Sequence, residues 1–177
     1  LPGGQNLAMN VNVSRRQLME PGFIPALQSL IENLELSPES LRLEITESLV
    51  MAAEDSIVES LGIMKAMGVQ IYMDDFGTGL SSLGLLRRLP LDGIKVDRCF
   101  IEAANGDRES IAILQAIVSL GHNLGMSVTA EGIENPEQVA TILALECDLV
   151  QGYLFGRPVP IEDAEKLLGK TWHEITP

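Results

Sequence analysis

Short apolar, strand-like runs alternate along this chain with stretches of helical periodicity. The runs lie at Leu7 to Val13, Leu41 to Ile45, Val69 to Met73, Gly93 to Val96, Met126 to Ala130 and Cys147 to Val150. Between them the spacing predicts helices, among them Pro25 to Asn33, Ser56 to Met67 and Glu109 to Leu124. Asn135-Pro136-Glu137-Gln138 forms a complete helix start, with a capping residue, proline at the first helical position and a glutamine that closes a capping box. This alternation is the pattern of an α/β fold with a parallel sheet. No Gly-x-Gly-x-x-Gly follows the first strand, which disfavours a dinucleotide-binding sheet. Six units in 177 residues come to about 30 residues each, close to the spacing of an eight-unit barrel of roughly 250 residues. On that arithmetic two units are absent, and a fragment of a longer parent is expected in preference to a chain that pairs with another or forms an open sheet.

The strand ends carry the chemistry. Reading the carboxyl end of each strand in turn gives Asn12, Glu44, the pair Asp74 and Asp75, then Lys95 with Asp97, Glu131 and finally Gln151. Any one of these taken singly reads as a cap or a solvated charge. All six strands ending this way is a different matter, because a barrel gathers those ends on one face, where barrel enzymes place their active sites. The densest stretch is Ile71-Tyr72-Met73-Asp74-Asp75-Phe76-Gly77-Thr78-Gly79, an apolar strand running into two adjacent carboxylates and a loop with two glycines. Two neighbouring carboxylates repel unless a cation lies between them, and a divalent metal would resolve the repulsion. The competing reading of that stretch is a strand-ending aspartate that caps a following helix, with Ser81-Ser82-Leu83 as its start. Asn12, Glu44, Asp74 and Asp75 are oxygen donors suited to Mg²⁺ or Mn²⁺, and no cluster of Cys or His suggests zinc. Lys95 suits a hydroxide or a phosphate, and Glu131 suits removal of a proton from water. The set points to metal-assisted hydrolysis of a phosphate ester.

Composition narrows the partners. With 46% hydrophobic residues the chain can bury one sizeable core. No apolar run reaches the roughly 18 residues of a membrane span. The formal charge of -13 argues against a DNA or RNA track. Leu1-Pro2-Gly3-Gly4-Gln5 lacks the regions of a signal peptide, and a chain that does not begin with Met is expected to be an excerpt. Cys99 and Cys147 have no CxxC spacing and are expected to be buried free thiols, which fits a reducing, cytoplasmic setting. His122, His173 and Trp172 are assigned to structure.

Together the motifs resemble the EAL domain family, the cyclic di-GMP phosphodiesterases with a modified TIM-type (β/α) barrel. The matching segments are Asn12-Val13-Ser14, Glu44-Ile45-Thr46-Glu47, Asp74-Asp75-Phe76-Gly77-Thr78-Gly79, Lys95-Val96-Asp97, Ala130-Glu131-Gly132-Ile133-Glu134 and Gln151-Gly152-Tyr153-Leu154-Phe155-Gly156-Arg157-Pro158, in the family's order. The resemblance implies that Asn12, Glu44, Asp74 and Asp75 hold two divalent cations, Mg²⁺ or Mn²⁺. It implies that Lys95 and Glu131 position or activate the attacking water, and that Asp97 and Gln151 lie close to water or substrate. It implies that Glu47 braces the 76–79 loop, which gates the site or transmits a dimer signal. The activity implied is hydrolysis of cyclic di-GMP to linear pGpG, in a homodimeric, multidomain signalling protein.

One departure stands out. The Glu-Ala-Leu segment that names the family lies upstream of the match to Asn12, and this chain has no such segment. In the family that glutamate is a metal ligand. Residues 1–177 therefore read as an EAL-type domain truncated at its N-terminus. The alternatives to an enzyme are a cyclic di-GMP receptor that does not cleave its ligand and a signalling interaction module.

Overall fold

Alternation within the strands decides what each face of the sheet does. The computed structural model describes residues 7–51, 55–79, 83–104 and 106–167. Its strands are β1 (Met9–Asn12), β2 (Leu41–Thr46), β3 (Gln70–Phe76), β4 (Gly93–Val96), β5 (Ser127–Ala130) and β6 (Leu149–Val150). All neighbouring pairs are parallel and the strands lie in sequence order with no reversal. A doubly wound sheet reverses its order at a switch point, whereas a (β/α) barrel does not. The fold is therefore a six-strand arc of a barrel.

Helices fill the crossovers. They are α1 (Arg15–Leu18), α2 (Phe23–Asn33), α3 (Glu47–Met51), α4 (Asp55–Ala66), α5 (Leu83–Leu86), α6 (Arg98–Ala103), α7 (Arg108–Asn123) and α8 (Pro136–Ala144), and α9 (Ile161–Ala164) follows β6. Right-handed crossovers between sequential parallel strands place such helices on one side of the sheet. The face turned to them is apolar: Leu43, Ile45, Ile71, Met73, Ile94, Val96 and Val128 are buried in one core with Ile57, Leu61, Met64, Leu114 and Ile142. Each such side chain contributes about 1.5–3 kcal/mol by leaving water.

The opposite face is polar, which is unusual because parallel strands covered on both sides read as continuous apolar runs. Here Leu41-Arg42-Leu43-Glu44 alternates strictly, and in Gln70-Ile71-Tyr72-Met73-Asp74 the inner positions carry Gln70, the Tyr72 hydroxyl and Asp74. Register aligns Glu44 with Tyr72, Tyr72 with Gly93 and Gly93 with Ser127, so these positions share the inner face. There Arg42 lies 5.1 Å from the Tyr72 ring centroid and its Nε donates to Gln70 at 2.8 Å. The Tyr72 hydroxyl reaches Ser127 Oγ at 2.9 Å. Gly93 makes that reach possible, since a Cβ there would meet Tyr72 Cε1 at 2.4 Å.

The predicted helices and caps agree with the structure to within about two residues at each end, the usual latitude of such boundaries. Asn135 and Gln138 make the expected reciprocal capping box. Strand ends differ more. β3 runs on to Phe76 through a bulge, and β6 starts only at Leu149 because Glu146 takes a φ of 60° as the chain leaves α8. Asp148 then fills the gap, its Oδ2 accepting from the Val128 N–H at 2.7 Å and pairing with His122 at 2.9 Å.

The cysteines also differ from expectation. Both are free, but Cys99, in the first turn of α6, is exposed, and Cys147 is only half-buried in the turn after α8. His173, Trp172 and the Ser81-Ser82 part of the predicted helix start lie outside the described residues, whereas Leu7 and Ala8 are described and precede β1, which is paired from Met9 onward. No described helix is long and apolar enough to cross a membrane.

Candidate active site

Lys95 stands at the centre of the polar face. It lies mid-strand on β4, 3% exposed. Its Nζ meets Glu131 Oε1 at 2.6 Å, Glu44 Oε1 at 2.9 Å and Asp74 Oδ1 at 3.2 Å. Burial alone would lower the pKa of its ammonium, but the hydrogen bonds to Glu131 and Glu44 outweigh burial and hold it well above its ordinary value. Glu131 follows β5, and there burial wins: its carboxyl is pushed up despite the opposing pull of Lys95.

Asp74 and Asp75 occupy the bulge of β3. In a regular strand adjacent side chains point to opposite faces. At this site the register shifts between Met73 and Phe76, and Asp75 adopts the left-handed region at a φ of 55°. The result is that oxygens of Asp74, Asp75 and Glu131 all lie within 4.8 Å of one another. Burial first, then the neighbouring charges of Asp74 and Asp97, raises the Asp75 carboxyl above the usual range. Asp74 Oδ1 is buried and accepts no hydrogen bond, for Lys95 faces it at ion-pair distance but out of hydrogen-bond geometry.

These observations test whether divalent cations suit the site. Glu44, Asp74, Asp75 and Glu131 set four carboxylates around one ammonium, which leaves a local excess of negative charge. A buried carboxylate oxygen without a donor is costly unless a cation meets it. The donor set is all oxygen, as Mg²⁺ and Mn²⁺ prefer. The residues fit such ions.

The other predicted residues fall around this centre with differing involvement. Asn12 ends β1 in register with Glu44 and is exposed. Gln151 follows β6, tied through its backbone to Ala130 and Ile133 at 2.9 and 3.0 Å. Asp97 caps α6, accepting from the Cys99 N–H at 2.9 Å, and its carboxyl is held below the usual range first by the Cys99 thiol and then by that backbone bond, against burial. Its capping role was legible as an aspartate just ahead of a helix, a signal that the sequence reading passed over. Asn10 was missed altogether; it donates to Glu44 Oε1 at 2.7 Å, and the signal was its place two residues before Asn12, on the same face of β1.

Glu47 opens α3 and is 2% exposed. Its Oε2 accepts from the Gly77 and Gly79 N–H groups at 2.9 and 3.0 Å, which anchors the loop after the aspartate pair. Gly77, at a φ of 97°, leaves room for the Phe100 ring, which a Cβ would meet at 2.5 Å. Glu47→Ala is expected to lower hydrogen-exchange protection of the Gly77 and Gly79 amides by about 10–100-fold, since bonds to a charged acceptor are worth about 1.5–3 kcal/mol each. Unchanged protection would mean that Glu47 does not brace this loop.

Comparison with known proteins decides the family. The profile of the EAL domain matches residues 2–158. The chain belongs to the EAL domain family. It is 39% identical over 168 residues to the cyclic di-GMP phosphodiesterase NbdA of Pseudomonas aeruginosa, covering 95% of this chain and 22% of that protein. Among solved structures, this EAL domain superposes on the PaMucR phosphodiesterase in its c-di-GMP complex with a TM-score of 0.83 at 40% identity, over 89% of this chain and 64% of that one. It superposes on Klebsiella pneumoniae BlrP1 in a manganese and cy-diGMP complex with a TM-score of 0.79 at 30% identity, over 85% of this chain and 39% of that one. The chain spans about a fifth of the length of the curated relatives it matches. The strand arc is thus the TIM-like barrel of EAL domains, seen over six parallel strands.

Proposed function

We propose that this EAL domain hydrolyses one phosphodiester linkage of cyclic di-GMP to give linear pGpG, with two divalent cations, Mg²⁺ or Mn²⁺. The observation that carries the reading is the buried Lys95 held among Glu44, Asp74 and Glu131, with Asp74 Oδ1 left unbonded beside it. Relatives named as cyclic di-GMP phosphodiesterases and a relative solved with manganese and the dinucleotide support it. Asn12, Glu44, Asp74 and Asp75 are the residues that would hold the ions. Cations bound there supply charge stabilisation to the phosphate and to the attacking and leaving oxygens.

The chain's own residues provide the rest. Lys95 brings a fixed positive charge to a non-bridging phosphate oxygen or to the attacking water. Glu131 takes the water's proton, and its raised pKa makes it a better base than an ordinary glutamate. The water oxygen bonds to phosphorus, the bond from phosphorus to the ribose oxygen breaks, and the departing oxygen takes a proton from solvent. Asp97 and Gln151 contact water or substrate at the rim, and Glu47 keeps the 76–79 loop in place. The same reading makes residues 1–177 one EAL-type domain of a larger, homodimeric, cytoplasmic signalling protein; relatives named as signalling proteins favour the larger setting.

A product assay tests the reaction. The full-length protein, given cyclic di-GMP with Mg²⁺ or Mn²⁺, is expected to release pGpG in a chromatographic assay. Binding of the dinucleotide without pGpG would replace hydrolysis by a receptor function.

A further inference from the structure

The site depends on β1 through a residue that lies outside every motif named above. Asn10 Nδ2 donates to Glu44 Oε1 at 2.7 Å, and Lys95 Nζ meets that same oxygen at 2.9 Å. Two donors therefore converge on one oxygen of a carboxylate that is 5% exposed, while no bond from a described residue to Oε2 accompanies them. The terminal torsion of a glutamate is otherwise broad, so donors fixed on one oxygen set the direction of the other. The two donors are not equivalent. Lys95 hydrogen-bonds Glu131 and Glu44 and faces Asp74 only as an ion pair, so its charge is shared among three carboxylates and any phosphate or water that it engages competes with them. Among the described residues Asn10 makes one side-chain bond, to Glu44, and as a neutral amide it adds no charge to the cluster.

We infer that Asn10 is a positioning residue for the ion site: it holds Glu44 by Oε1 so that Oε2 stays directed to a divalent cation even when Lys95 turns to the substrate. The inference rests on the ion-binding reading proposed above. Partners of metal-binding carboxylates of this kind typically change metal affinity by about 10–100-fold when removed.

Mn²⁺ alone is the probe, titrated without nucleotide and followed by the electron paramagnetic resonance signal of the free ion. Native protein, Asn10→Leu, Asn10→Gln and Asp74→Asn are compared, with thermal melts of each taken without metal. Asp74→Asn identifies which bound Mn²⁺ belongs to this site. Asn10→Leu keeps bulk without a donor and is expected to weaken that Mn²⁺ by about 10–100-fold with the metal-free melt unchanged, and Asn10→Gln, which keeps an amide donor, to recover part of the loss. Native affinity in Asn10→Leu overturns the inference while leaving the ion site standing. A fall in the metal-free melt that matches the loss of affinity also overturns it, because the role would then be structural. If Asp74→Asn removes no bound Mn²⁺, the ion-binding reading fails and the inference falls with it.

Discussion

Replacing Lys95 by methionine is expected to lower the melting midpoint by roughly 6–20 °C and to reduce turnover by at least about 100-fold. Breaking a buried ion pair by removing one partner costs about 3–5 kcal/mol, and in a domain of this size each kcal/mol moves the midpoint by about 2–4 °C. Lys95 is the shared partner of three carboxylates, so its loss leaves Glu44, Asp74 and Glu131 facing one another with nothing between them. The pH dependence separates this from simple loss of packing. In the native protein the ammonium's pKa is raised on folding, so its contribution is fully present below the unfolded value near 10.5 and is lost as pH rises through the folded one. In Lys95→Met the carboxylates would have folded pKa values above their unfolded ones, and stability would recover as they take up protons. The deficit in melting temperature should therefore shrink between pH 8 and pH 5. A deficit that stays constant with pH would show that the charges around Lys95 are not what it holds together.

The second large effect goes the other way in stability. Asp74→Asn keeps the shape of the side chain, removes a buried charge beside Asp75 and is expected to leave the metal-free melt unchanged or higher. Asp74 is among the causes that raise the Asp75 carboxyl, so relieving it favours the folded state. Function should fall steeply, by about 1,000-fold in hydrolysis, because several kcal/mol of charge stabilisation depend on the ions. The decisive comparison is stabilisation by Mn²⁺. A ligand at about 100 times its Kd adds about 2.7 kcal/mol to the native state. Native protein should show that gain and Asp74→Asn should not. Equal Mn²⁺ stabilisation, or hydrolysis left intact, would remove Asp74 from the proposed ligand set.

Much of this was readable in advance because strand ends in a parallel barrel converge whatever the detail of their packing. Glu44, Asp74, Lys95 and Glu131 meet as their positions at successive strand ends required. What escaped the reading depends on backbone irregularity or on contacts across strands. The left-handed Asp75 and the bulge that brings two adjacent carboxylates together leave no pattern in residue type, since Asp-Asp-Phe also fits a regular strand. Tyr72 looked like one more apolar strand residue, yet it lies over Gly93 and bonds to Ser127, a residue distant in sequence. Cys99 was read from its apolar neighbours alone, whereas its place in the first turn of α6 leaves it exposed. The alternation of Leu41-Arg42-Leu43-Glu44 in β2 stands in the sequence itself, and it marks the inner face as polar more directly than any motif.

The left-handed backbone at Asp75 bears on how this fold can change over evolutionary time. Asparagine tolerates that conformation as well as aspartate does, and glycine tolerates it better. Neither brings a charge. A descendant with either residue at this position would keep the bulge of β3 and the Glu47 anchor of the next loop while losing one carboxylate from the cluster. Loss of the carboxylate at position 75 is thus nearly free of conformational penalty, whereas a β-branched replacement would disturb the turn itself. If the proposed hydrolysis holds, a lineage that gave it up while keeping the fold would have an accessible first step at this residue.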